Sequence, residues 1–117
     1  MKLRVDNSEQ LMHIALEDSL FKKLIQQAEK DFILANVPLK MPLVIDALGF
    51  IALVRENVYY LMMEHFAEYL NLMYIIDIPE KDFQHIEITD TIDVADQVTL
   101  LILKREYKKV WYRNKYQ

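Results

Sequence analysis

The chain has no cysteine, a single glycine (Gly49), three prolines (Pro38, Pro42 and Pro79) and two serines (Ser8 and Ser19). Without cysteine there is no disulfide framework, no thiolate zinc site and no cysteine nucleophile. One glycine excludes a Gly-x-Gly-x-x-Gly dinucleotide loop and a P-loop, because each brings backbone amides close to phosphate at several glycines. The same scarcity leaves few tight turns of the kind that hairpins and β-sandwiches use repeatedly, whereas a mainly helical chain needs few. Ser8 reads as a helix cap and Ser19 falls on a polar helix face. Neither lies in a Gly-x-Ser-x-Gly elbow, so the sequence offers no serine nucleophile.

An uninterrupted hydrophobic run is missing as well. The most apolar stretch, residues 41–76, is punctured by Asp46, Arg55, Glu56, Glu64, His65 and Glu68, whereas a lipid span needs about 20 mostly apolar residues. It reads as core helix. The first residues, Met1 to Asp6, lead into acids and amides and do not resemble a secretory signal, so a cytoplasmic location without membrane association is expected.

What is present is apolar surface in helical register. The 117 residues are 53% hydrophobic and 27% charged, with a formal net charge of −4. That composition supports one domain over 1–117 built on one core. Ser8, Glu9 and Gln10 mark a helix start, and the pattern runs on until Asn36, Val37 and Pro38. At about 100° per residue, Leu11, Ile14, Phe21, Leu24, Ile25, Ala28, Phe32 and Ala35 share one face, and Ser19, Lys22, Lys23, Gln26 and Lys30 the other. Pro42 suits a first helical turn, and the helical pattern from Leu43 reaches Ile76, with a break expected near Arg55 to Asn57. Residues 57–76 are apolar on nearly all sides apart from a stripe of Glu64, Glu68 and Asn71, which predicts a central helix or one covered by a second subunit.

From Asp77 to Asp96 seven acids face Lys81 alone, a local balance of −6. This is a loop-rich segment in which 85–89 is extended or 3₁₀, since an isolated strand has nothing to pair with. Asp93, with Asp96 three residues on, starts a last helix ending near Lys115. The expected fold is therefore all-α: a small antiparallel bundle of three to five helices, at 8–36, 43–55, 57–76 and 93–115, with the acidic loop-rich segment before the C-terminal helix.

Two constellations carry chemistry. His13 and Glu17, one turn apart, fall on or beside the apolar face of the first helix, where a carboxylate must be paired, hydrogen-bonded or protonated. They form a candidate interior polar, acid/base or metal site, to which Asp46, His65 and Glu68 are possible contributors from neighbouring helices. His65 and Glu68 make a His-x-x-Glu, but the Glu-x-x-His of di-iron bundles is absent. The second constellation is a basic patch on the last helix: Lys104, Arg105, Lys108, Lys109 and Arg113, with Lys115 and Trp111. Together with Tyr107, Tyr112 and Tyr116 it has a local charge of +5 against Glu106. Such residues neutralise phosphates and stack on bases. They equally complement a helix C-terminus and dock on the acidic segment.

No motif assigns a reaction or a cofactor. The leading expectation is a non-enzymatic interaction or scaffold protein acting as a homodimer, with 57–76 forming much of the seam. The alternatives are a nucleic-acid-binding accessory protein using the basic aromatic helix and a metal or acid/base site at His13 and Glu17.

Overall fold

A 25-residue helix is about 37 Å long at 1.5 Å per residue, and the longest dimension of the molecule is 37 Å. The computed structural model describes residues 1–116. It consists of α1 (Ser8–Glu17), α2 (Phe21–Leu34), α3 (Ala47–Glu64), α4 (Phe66–Ile76), the single turn α5 (Glu80–Phe83) and α6 (Thr91–Lys115). The fold is all-α, with no strand among the described residues. Residues 86–90 belong to no helix or strand, and Asp90 is extended (φ −81°, ψ 164°).

The central helix is α6 and not 57–76. Its buried face, Ala95, Val98, Thr99, Ile102, Leu103, Glu106, Tyr107 and Val110, packs against α1, α2, α3 and α4. The helix begins at Thr91, two residues before the expected start, and is capped by Asp90, whose side chain accepts from the Asp93 amide (2.8 Å). The apolar face predicted for residues 8–36 is realised: Leu11, Leu24, Ala28, Phe32 and Ala35 are buried.

That stretch is nevertheless two helices. Asp18 ends α1 and Ser19 takes a left-handed conformation (φ 58°). The Leu20 amide then bonds to Ala15 O (2.8 Å) and the Ser19 amide to Leu16 O (3.1 Å), a Schellman stop with serine where glycine is usual. Asn36 (φ 62°) ends α2 in the same way, through Val37 to Phe32 O and Asn36 to Ile33 O. Asp77 (φ 68°) does so after α4. The stops at Asn36 and Asp77 fall where the sequence ended its helices, and only the one at Ser19, with serine in place of glycine, was concealed.

The start at Leu43 and the break at Arg55 to Asn57 are also corrected. Pro42, Leu43 and Val44 lie exposed in the connector, and α3 starts at its cap, Asp46, whose Oδ1 accepts from the Gly49 amide at 2.7 Å. A β-carbon at Gly49 would stand 2.9 Å from that oxygen, so the lone glycine allows this approach. Arg55 to Asn57 remain helical as part of α3, Asn57 donating to Leu53 O (2.8 Å) and Arg55 reaching Asp96 (3.5 Å). The break falls at His65 (φ −145°, ψ 62°). A straight helix over 47–76 would measure about 45 Å, longer than the molecule, and the break lets α3 pack on α1 and α6 while α4 packs on α2 and α6.

Candidate functional site

His13 and Glu17 meet as their spacing predicts, with Nε2 3.0 Å from Oε1, but the pair lies on the surface with 74% and 66% of the side chains exposed. Taken alone, α1 buries Ser8, Leu11, Met12 and Ala15. At 100° per residue His13 and Glu17 fall about opposite that face. The interior position expected for them came from treating 8–36 as one helix. Asp46 serves as a cap, His65 Nε2 meets the Tyr60 hydroxyl at 3.0 Å, and Glu68 is exposed. Among the described residues no group of three or more His, Asp and Glu side chains converges on a metal-sized site.

The basic patch is divided by its surroundings. Arg105 Nε donates to Asp77 O (3.0 Å) and its guanidinium pairs with Asp77 Oδ2 (3.3 Å), so the basic helix does dock on the acidic segment of its own chain. Lys109 turns into the interior. Arg113 looks the other way, lining a small cleft of about 270 Å³ with Lys23, Lys30 and Gln27. Trp111 carries the Lys115 ammonium at 4.9 Å from its ring centroid and the edge of Tyr112 against it. Lys104 and Lys108 are left, one turn apart on the wall of a larger cleft beside α5.

The interior polar site is elsewhere. Gln27 and Asp31 of α2 and Glu106 of α6 are buried, and the Lys109 ammonium lies 2.7 Å from Asp31 Oδ2 and 3.2 Å from Glu106 Oε1. The Gln27 amide donates to both Asp31 oxygens at 3.2 Å. Burial, followed by the hydrogen bond and charge of Asp31, pushes the Glu106 carboxyl up to about 9 against the attraction of Lys109. Burial would raise Asp31 too, but hydrogen bonds from Glu106, Lys109 and Gln27 and the Lys109 charge outweigh it and hold Asp31 below the usual carboxylate range. At neutral pH the pair therefore contains one proton, carried by Glu106, and one negative charge, on Asp31, balanced by Lys109. This is an enclosed clasp between α2 and α6. The sequence signal for it was Asp31 sitting between Ala28, Phe32 and Ala35 on an apolar face, a residue the sequence reading passed over.

Beside it, Tyr107 is fully buried and its hydroxyl donates to Asp18 Oδ2, tying α6 to the end of α1. Burial first, then the Asp18 hydrogen bond and charge, hold its proton well above the ordinary phenol range.

The outer faces of α3 and α4 are apolar and uncovered. Tyr59, Tyr60, Met63, Phe66, Leu70 and Tyr74 are between 36% and 80% exposed. Phe66, Leu70 and Tyr74 repeat every four residues along one side of α4, with exposed Ala67 and Asn71 next to them. The opposite side, Tyr69, Leu72, Met73 and Ile76, is buried in the core. The stripe of Glu64, Glu68 and Asn71 remains in solvent.

Comparison with protein families, with curated proteins and with solved structures finds no match to this chain. No helix among the described residues is long and apolar enough to cross a membrane.

Proposed function

We propose that the protein is a homodimeric interaction module whose subunits meet through the outer faces of α3 and α4. The row Tyr60, Met63, Phe66, Leu70 and Tyr74 carries this reading. Scattered exposed apolar residues need no explanation, but these five large side chains, with Tyr59 beside them as a sixth, exceed the usual patch of a monomer. Together they offer roughly what one partner contributes to a stable interface, about 800 Å². A two-fold axis near Leu70 would bring Phe66 of one copy toward Tyr74 of the other, so the stripe is its own complement. The exposed Glu64 and Glu68 border the row, and their repulsion makes such a dimer tighten as salt rises.

Sedimentation equilibrium of the intact protein tests this. The expected mass is twice 14.0 kDa, with Leu70→Glu and Phe66→Glu giving folded monomers of unchanged helicity. A wild-type protein that stays monomeric at high concentration, or a Leu70→Glu variant that stays dimeric, would overturn it.

A further inference from the structure

Between α5, the segment after it and α6 lies a cleft of about 480 Å³, within the range of small-molecule sites. Ile86, Leu100 and Leu101 give it an apolar lining. The wall is pinned: the Gln97 side chain on α6 accepts from the Glu87 amide (2.8 Å) and donates to Glu87 O (2.9 Å), holding the segment after α5 against the helix.

Three cations of α6, Lys104, Arg105 and Lys108, line the cleft. Arg105 is committed to Asp77. Lys104 and Lys108 form no ion pair among the described residues. Residues four apart on a helix present their ammonium groups side by side, each with three rotatable donors. Asp6 and Asp82 also line the cleft, beside His85. With Arg105 spent on Asp77, these two carboxylates balance the two lysines and the cleft has no net charge; that disfavours a polyanion, and an anionic head is held only by the local donors of Lys104 and Lys108.

We propose that this cleft binds a small organic anion with an apolar body. Its phosphate or carboxylate head is held by Lys104 and Lys108, and its body lies on Ile86, Leu100 and Leu101. The site is independent of the α3–α4 face, so it holds whether or not the protein dimerises.

Titration of the intact protein with naphthyl phosphate, naphthoate, naphthol and inorganic phosphate, followed by amide chemical shifts and calorimetry, tests it. Naphthyl phosphate or naphthoate is expected to saturate one site per chain, shifting amides of residues 85–108, at least about tenfold tighter than naphthol or inorganic phosphate. The stronger of the two identifies the head group. Lys104→Ala with Lys108→Ala should weaken that ligand about tenfold or more and leave naphthol unchanged, Ile86→Asp should weaken it as well, and Lys23→Ala in the other cleft should do nothing. Inorganic phosphate binding as tightly, indifference to the paired lysine change, or affinity that climbs with oligonucleotide length and ignores Ile86→Asp would each overturn the proposal.

Discussion

Glu106 on α6 and Asp31 on α2 face each other in the interior and share one cation, Lys109, 2.7 Å from Asp31 and 3.2 Å from Glu106. Two carboxyls so placed cannot both ionise at modest cost, and burial assigns the proton to Glu106. The clasp joins two helices that are far apart in sequence and has opposite pH dependences built into its two acids.

Stability is expected to fall as pH rises between about 4.5 and about 9 on account of Glu106. The sign follows from linkage: across that window native Glu106 keeps its proton while the unfolded chain has lost it, so the unfolded state binds fewer protons. Asp31, held low, acts oppositely: its contribution is present above the ordinary carboxylate value and disappears as the pH falls through its depressed one. Glu106→Gln keeps a donor toward Asp31 without a proton to lose. Urea denaturation at a series of pH values should show the variant gaining on wild type by up to about 1.4 kcal/mol per pH unit through that window. Parallel curves would show that Glu106 is ionised in the fold.

Lys109→Met should destabilise the protein by about 3–5 kcal/mol, because it leaves the Asp31 carboxylate buried without a counter-charge. Adding Asp31→Leu should recover most of that loss, since two apolar groups replace a pair rather than break it. Denaturant melts of the two single variants and the double variant decide the matter. Additive losses would mean that the two groups do not depend on each other.

The helical class, the core face of α1 and α2 and the end of α6 were legible in the sequence, because apolar spacing and caps are local properties. Leu24, Ala28 and Phe32 are buried where a 3.6-residue period puts them. The stop at Ser19 was not legible: a left-handed serine is indistinguishable in sequence from one on a helix face, and it shows only in its φ and in the Schellman hydrogen bonds that follow. That error carried over to His13 and Glu17, whose mutual contact was right and whose burial was not. The Asp31–Glu106 clasp was hidden because its halves lie on α2 and α6, and spacing along one helix says nothing about which helix it will face. The division of the basic patch among Asp77, Asp31 and solvent was hidden for the same reason.

Ser19→Gly is expected to stabilise the protein by about 0.5–1 kcal/mol. A non-glycine residue in the left-handed region costs roughly 1–2 kcal/mol, and the greater freedom of glycine in the unfolded chain returns part of that. Ser19 is exposed and its side chain makes no hydrogen bond among the described residues, so no contact seen here is lost. Thermal melts should shift upward, and an unchanged or lowered midpoint would mean that the φ of 58° at this position carries no strain.

The last helix should bind nucleic acid weakly. Of the basic residues on it, Arg105 is held by Asp77 and Lys109 by Asp31 and Glu106, while Arg113 lines a different cleft, leaving Lys104 and Lys108 as adjacent charges with no ion pair among the described residues and Lys115 on Trp111. Two adjacent phosphate contacts predict a log–log slope of affinity against salt no steeper than about −2. Lys108→Ala should flatten that slope, whereas Lys109→Ala should lower thermal stability, because its charge is spent inside the fold. Trp111→Ala should change single-strand affinity little, since Lys115 and Tyr112 already pack on the ring. Fluorescence anisotropy of single-stranded DNA and RNA across a salt series measures all three. A slope of −5 or steeper, on the order expected for six phosphate contacts, or a salt-resistant and sequence-dependent affinity, would show that the patch acts as one surface despite the ion pairs that divide it.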